Sequence, residues 1–129
     1  MEINNILLVD DEPNIRLIAQ TSLQALTDWN VALAENGTEA IKSVQTLKPD
    51  LVLLDMMMPD MDGPTTLTKL REIDGMADIP VIFMTAKVQN HELEDYLKMS
   101  AAGVISKPFD PMKLPDDVKE ILARLEAKV

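Results

Sequence analysis

Five side chains of this sequence have the types that phosphoryl chemistry needs, and each closes or follows a short apolar run. "NILLVDD" ends in Asp10 and Asp11, "LVLLD" in Asp55 and "VIFMT" in Thr85, while "GVIS" runs into Lys107 and Pro108. Three carboxylates with neither thiolate nor imidazole beside them make an all-oxygen donor set, which suits Mg²⁺ or Mn²⁺ rather than zinc. Carboxylates a few ångströms apart repel, so such a cluster is tolerable mainly with a cation in it. A lysine opposite the metal would neutralise phosphoryl oxygens, and a threonine hydroxyl would bond another. Positioning and electrostatic stabilisation of that kind are what phosphoryl transfer requires. An aspartate can itself be the nucleophile, giving an acyl phosphate.

These residues meet only if the chain brings the ends of its apolar runs together. Short apolar runs alternate with helical spacing along the whole sequence. Ile15, Ile18, Ala19, Leu23 and Leu26 predict one inward helical stripe, and Ala40, Ile41, Val44 and Leu47 predict another, stopped by Pro49. "GPTTLTKLREI" predicts a third helix with Pro64 in its first turn and Gly75 near its stop. A fourth is expected from about Glu92 to Ser100. The last carries Leu114, Val118, Ile121, Leu122 and Leu125, with Pro115 in its first turn. The strands are expected at Asn5–Asp11, Asn30–Glu35, "DLVLLD", "IPVIFMT" and "GVIS". Five strands alternating with five helices predict an α/β fold, a parallel sheet covered on both faces. Right-handed crossovers then place every strand's C-terminal end on one edge, where open sheets of this kind bind ligands.

Composition narrows the function classes. A chain of 129 residues is expected to be one domain, and 47% hydrophobic with 26% charged is ordinary for a globular protein. There is no cysteine, which fits a reducing cytoplasm. No signal peptide and no membrane-spanning run is apparent. The net charge of −10 argues against direct nucleic-acid binding and is compatible with cations and basic protein partners.

"ILLVDDEP", "LVLLDMMMPDMDG", "VIFMTA" and "GVISKPF" resemble, in order and spacing, the four signatures of the response-regulator receiver domain of two-component signalling. The resemblance covers residues 1–129 and implies a (βα)5 doubly wound, flavodoxin-like sheet of order 2-1-3-4-5. It implies that Asp55 is the phosphoacceptor and that Mg²⁺, or Mn²⁺ in its place, is held by Asp10, Asp11, Asp55 and the backbone carbonyl of Met57. Thr85 and Lys107 would contact the phosphoryl group, with Met57, Ala86 and Lys87 close to it. The Lys107–Pro108 bond is expected to be cis. The implied partners are a histidine kinase or histidine phosphotransfer protein and a downstream protein target, in a cytoplasmic monomer or weak dimer. No output domain is expected.

The sequence departs from the family at the position three residues before the lysine, often aromatic in relatives and here Val104, which has no ring to swing inward. Tyr96 is not assigned that role. Met57 and Lys87 flank the acceptor, and a phosphoryl lifetime on the order of minutes to hours is expected from their bulk and charge.

Other conspicuous residues have plainer readings. Met56, Met57 and Met58 suit gap-filling and turn roles better than a soft-metal site. Asp60 and Asp62, with Gly63, are expected to form a helix entry, and "DMMMPDMDG" lacks the spacing of a calcium loop. His91 is expected to be solvated, and Trp29 and Phe109 to pack. The alternative functions are an aspartate-nucleophile phosphatase of the haloacid-dehalogenase type and an unphosphorylated receiver-like scaffold. The first needs an acid two residues after the nucleophile, where Met57 stands. The second is disfavoured by the intact set of acids, hydroxyl and lysine.

Overall fold

In the computed structural model, which describes residues 2–86, 98 and 100–127, the strands form as the apolar runs require. They are β1 (Asn5–Val9), β2 (Asn30–Ala34), β3 (Leu51–Asp55), β4 (Val81–Thr85) and β5 (Gly103–Ser106). The helices are α1 (Pro13–Leu26), α2 (Gly37–Leu47), α3 (Gly63–Arg71) and α4 (Leu114–Ala127). All pairings are parallel and the order is β2-β1-β3-β4-β5, as expected. The helix expected from about Glu92 to Ser100 lies almost entirely outside the described residues, as do Lys87, His91 and Tyr96.

Alternate residues of each central strand feed opposite layers, because successive side chains point to opposite faces. Leu7, Val9, Val52, Leu54, Val81 and Phe83 pack with Ala40 and Val44 of α2 and with Leu67 and Leu70 of α3. Ile6, Leu8, Leu51, Leu53, Ile82 and Met84 pack on the other face with Ala19 and Leu23 of α1 and with Val118 and Leu122 of α4. The two apolar layers hold the sheet rigid between them, and its C-terminal edge is left free for polar residues.

The helix ends carry their own signals. Pro13 opens α1, and Asn36 caps α2 by accepting from Glu39 N at 2.8 Å. Lys48 turns left-handed (φ 50°) to close α2 just before Pro49. α3 ends two residues earlier than its spacing suggests. Glu72 N and Ile73 N donate to Lys69 O and Leu70 O, three residues back, so the last turn tightens out of α geometry.

The inward stripe of α1 is narrower than expected. Ile18 and Leu26 are exposed, because the buried face centres on Ala19, Ser22 and Leu23. Ile18 is turned about 100° from Ala19 by helical geometry, and Leu26 is the helix's last residue. Ser22, a polar residue in that face, is satisfied by donating to Pro111 O in the segment leading into α4.

Candidate functional site at the C-terminal edge of the sheet

Three adjacent strands, β1, β3 and β4, deliver the predicted residues to one rim, and β5 delivers the lysine. Asp10 continues β1 for one more pairing, its N–H donating to Ala34 O at 3.1 Å, so its side chain is set by the sheet. Asp55 is the last residue of β3, opposite Met84 in register, and Met56 N extends the pairing to Met84 O at 3.0 Å. Thr85 ends β4 and is buried; its carbonyl accepts from Lys107 N at 2.8 Å, which ties the lysine's backbone to the same rim. The Lys107–Pro108 bond is cis, as expected.

Carboxylate oxygens of Asp10, Asp11 and Asp55 lie within 4.8 Å of one another. Asp10 is fully buried and Asp55 is 4% exposed, whereas Asp11 is more open to solvent. Lys107 Nζ sits between the two buried acids, 2.6 Å from Asp10 Oδ2 and 3.1 Å from Asp55 Oδ1. It is therefore closer to Asp10 than to Asp55. The other Asp10 oxygen accepts from Glu12 N at 2.9 Å, and Arg16 Nη1 donates to the Asp10 carbonyl at 2.7 Å. Met57 N reaches Asp55 Oδ1 at 3.4 Å, a long contact.

Burial pushes the Asp55 carboxyl up to about 6; the hydrogen bond from Lys107 works against this, and the Asp10 charge works with it. Burial would lower Lys107, but its hydrogen bonds to Asp10 and Asp55 outweigh that and raise it, so the ammonium stays charged. One ammonium facing three carboxylates leaves the cluster in excess negative charge. The donors are all hard oxygens at a partly open rim, so the set fits a divalent cation such as Mg²⁺. Asp10, Asp11 and Asp55 are the side chains that would hold it.

The loop after β3 is held from below by a glycine. A Cβ on Gly63 would lie 2.8 Å from the Asp55 carbonyl and 3.0 Å from Met56 Cα, and Gly63 N donates to Met56 O at 2.8 Å. The start of α3 thus buttresses the backbone that carries Asp55. Asp62 caps α3 by accepting from Thr65 N at 2.8 Å. Asp60 does not serve that same helix entry, as its neighbourhood suggests. It reaches across to α2, accepting from Gly37 N at 3.2 Å, Thr38 N at 3.0 Å and Thr38 Oγ1 at 2.9 Å. No local pattern announces this, since its partners lie 22 and 23 residues away.

The remaining predicted residues differ in burial and packing. Met56 and Met58 are buried core residues, whereas Met57 is exposed. Ala86 is exposed immediately after β4. Val104 packs half-buried against the α2–α3 layer. Trp29 and Phe109 pack against the α1–α4 layer as expected. Arg16 was not singled out by type or spacing, although an arginine one turn into the helix after the acid pair is a signal for such a contact.

Comparison with known proteins agrees with this fold. Residues 6–119 match the family model described as the response regulator receiver domain. The chain is 41% identical over 123 residues to response regulator Rre1 of Synechocystis, covering 95% of this chain and 53% of that protein. It is 37% identical to the alkaline phosphatase synthesis transcriptional regulatory protein PhoP of Bacillus subtilis, covering 94% of this chain and 49% of that one. The chain thus spans about half the length of the curated relatives it matches. Among solved structures it is similar to the chemotaxis response regulator CheY4 of Vibrio cholerae, with TM-score 0.86, 25% identity, and coverage of 93% and 99% of the two chains. The N-terminal domain of a response regulator receiver protein from Methanoculleus marisnigri is 34% identical with TM-score 0.75, covering 95% and 99% of the two chains. With most of its length matched by that model, the chain belongs to the response regulator receiver domain family of two-component signalling.

Proposed function

We propose that this chain accepts a phosphoryl group on Asp55 from the phosphohistidine of a partner histidine kinase or phosphotransfer protein, and that the modified form changes its protein contacts. The observation that carries this reading is a strand-end carboxylate held 3.1 Å from Lys107 Nζ, with two further carboxylates within 4.8 Å. An Asp55 oxygen attacks phosphorus; the bond from phosphorus to the donor's imidazole nitrogen breaks, and an aspartyl phosphate remains. Lys107 shifts its charge from the carboxylates to the phosphoryl oxygens, and the Thr85 hydroxyl donates to one of them. Asp10, Asp11, Asp55 and the Met57 carbonyl would hold Mg²⁺, which when bound would offset negative charge on the incoming group. The rim is open on the side of Asp11 and Met57, which is where a donor side chain would enter.

Several finer features belong to the same reading. Ala86 lies near the phosphoryl group beside Met57, the resemblance assigns Lys87, outside the described residues, to the same neighbourhood, and the signal does not depend on an aromatic at Val104. Residues 1–129 act as one receiver unit in the cytoplasm, as a monomer or weak dimer, without touching nucleic acid directly. Among the described residues no helix is long and apolar enough to cross a membrane.

The deciding experiment is intact-mass measurement after incubation with Mg²⁺ and a small acyl phosphate. One added phosphoryl group is expected, absent in Asp55→Asn and absent when the metal is chelated. Continuous release of phosphate from phosphomonoesters would instead identify a phosphatase, for which Met57 offers no acid. No modification under either donor would leave only a scaffold.

A further inference from the structure

We propose that Met57 is a site of reversible oxidation by hydrogen peroxide, and that its sulfoxide shortens the lifetime of a phosphoryl group on Asp55. The second half rests on the receiver chemistry proposed above. The first rests on the unequal fates of three consecutive methionines. Met56 and Met58 are 7% and 9% exposed, within the apolar layer under α2 and α3, whereas Met57 is 75% exposed. Peroxide needs direct access to the sulfur, so oxidation discriminates among the three by accessibility. Met57 is also the residue whose N–H reaches Asp55 Oδ1 at 3.4 Å, so its side chain leaves the backbone beside that carboxylate.

The chemistry is a two-electron oxygen transfer. A sulfur lone pair attacks one peroxide oxygen, the S–O bond forms and the O–O bond breaks. The departing hydroxide takes the proton of the new S–OH group and leaves as water, so the product is the sulfoxide; sulfur is oxidised and peroxide reduced. A methionine sulfoxide reductase with a thiol reductant returns the thioether. In a core, this change from apolar to polar disrupts packing. Met57 belongs to neither apolar layer, so here the change falls on the mouth of the site alone. A thioether beside an acyl phosphate excludes water. A sulfoxide oxygen is a strong acceptor that holds water there, and water is the nucleophile that removes the phosphoryl group.

The test treats the full chain with millimolar hydrogen peroxide, quenches, and maps sulfoxide at every methionine by peptide mass spectrometry. Phosphoryl half-life is then measured after loading with a small acyl phosphate and Mg²⁺. Met57 should be oxidised at least tenfold faster than Met56 and Met58, and the half-life should fall about threefold or more. Reductase treatment should restore it. Met112, 70% exposed in the segment before α4, supplies the control: Met112→Leu should keep the peroxide effect, and Met57→Leu should lose it. Equal oxidation of the three methionines, an unchanged half-life, or the same peroxide effect in Met57→Leu would each overturn the proposal. If untreated protein takes no phosphoryl group, the receiver reading fails and the lifetime effect with it, while the oxidation map still decides the modification itself.

Discussion

Asp55 shows what a buried charge costs and why this one is kept. Its carboxyl is pushed up to about 6 chiefly by burial, against a usual value of 3.8. The folded protein therefore holds that proton more tightly than the unfolded chain. Folding stability falls as pH rises from about 3.8 to about 6, and the loss is complete above the folded value. At about 1.4 kcal/mol per pH unit, this amounts to at most about 3 kcal/mol. Asp55→Asn removes the titration while keeping a hydrogen-bond acceptor for Lys107. Without metal, the variant should gain stability over the parent between pH 4 and pH 7, by up to about 3 kcal/mol in urea denaturation. Equal pH dependence in the two proteins would show that Asp55 is not desolvated. The strand's rigidity thus holds the carboxylate in a place it would not choose, ready for cationic partners.

At the scale of elements, the loop between β3 and α3 is fixed at its end and at its middle by contacts of different kinds. Gly63 lets α3 start against the Asp55–Met56 backbone, at distances no Cβ tolerates. Gly63→Ala should destabilise by about 1–3 kcal/mol, through backbone displacement rather than lost contacts. Because that displacement falls on Asp55, phosphoryl uptake should fall as well, read by intact mass at a denaturant-free temperature well below melting. Asp60 anchors the loop's middle to α2. Burial works against its ionisation, yet hydrogen bonds from Thr38 and Gly37 hold its carboxyl below the usual range. Asp60→Ala should cost about 1 kcal/mol, as loss of a helix N-terminal acceptor does, and should release protection of the Gly37 and Thr38 amides in hydrogen exchange. Unchanged exchange at both amides would remove the anchor.

For the whole molecule, the informative fact is that the polar rim and the sole tryptophan lie at opposite edges. Trp29 directly precedes β2, whose first residue pairs with the first residue of β1, while Asp10 and Asp55 follow or end their strands. Its ring packs on the α1–α4 layer with Lys119 Nζ 5.8 Å from the centroid. Tryptophan fluorescence therefore reports unfolding and is remote from cation binding at the rim. Mg²⁺ should raise the melting temperature followed at Trp29 without changing the folded-state spectrum. The gain is about 2.7 kcal/mol when free Mg²⁺ is 100 times its dissociation constant, or several degrees for a chain of this size. Asp11→Asn should abolish most of that gain while leaving the metal-free melting temperature nearly unchanged, since Asp11 is the least buried of the three acids. The net charge of −10 adds a general response to salt, so the comparison belongs at constant ionic strength.

The sequence by itself determined which strands form, and that Asp10, Asp11, Asp55, Thr85 and Lys107 share a rim. Continuous apolar runs specify strands buried on both faces, and parallel connection then leaves one edge for all their C-terminal ends. The cis bond before Pro108 and the strand order followed from the family's signatures rather than from any local rule. Only the tertiary structure decided how charge is shared at the rim, with Lys107 nearer Asp10 than Asp55. Only it turned Asp60 towards α2, exposed Ile18 and Leu26, and separated Met57 from Met56 and Met58. The reason is common to all of these. Strand and helix periodicity act over a few neighbouring residues, whereas burial, close approach and hydrogen-bond choice depend on what another part of the chain places alongside.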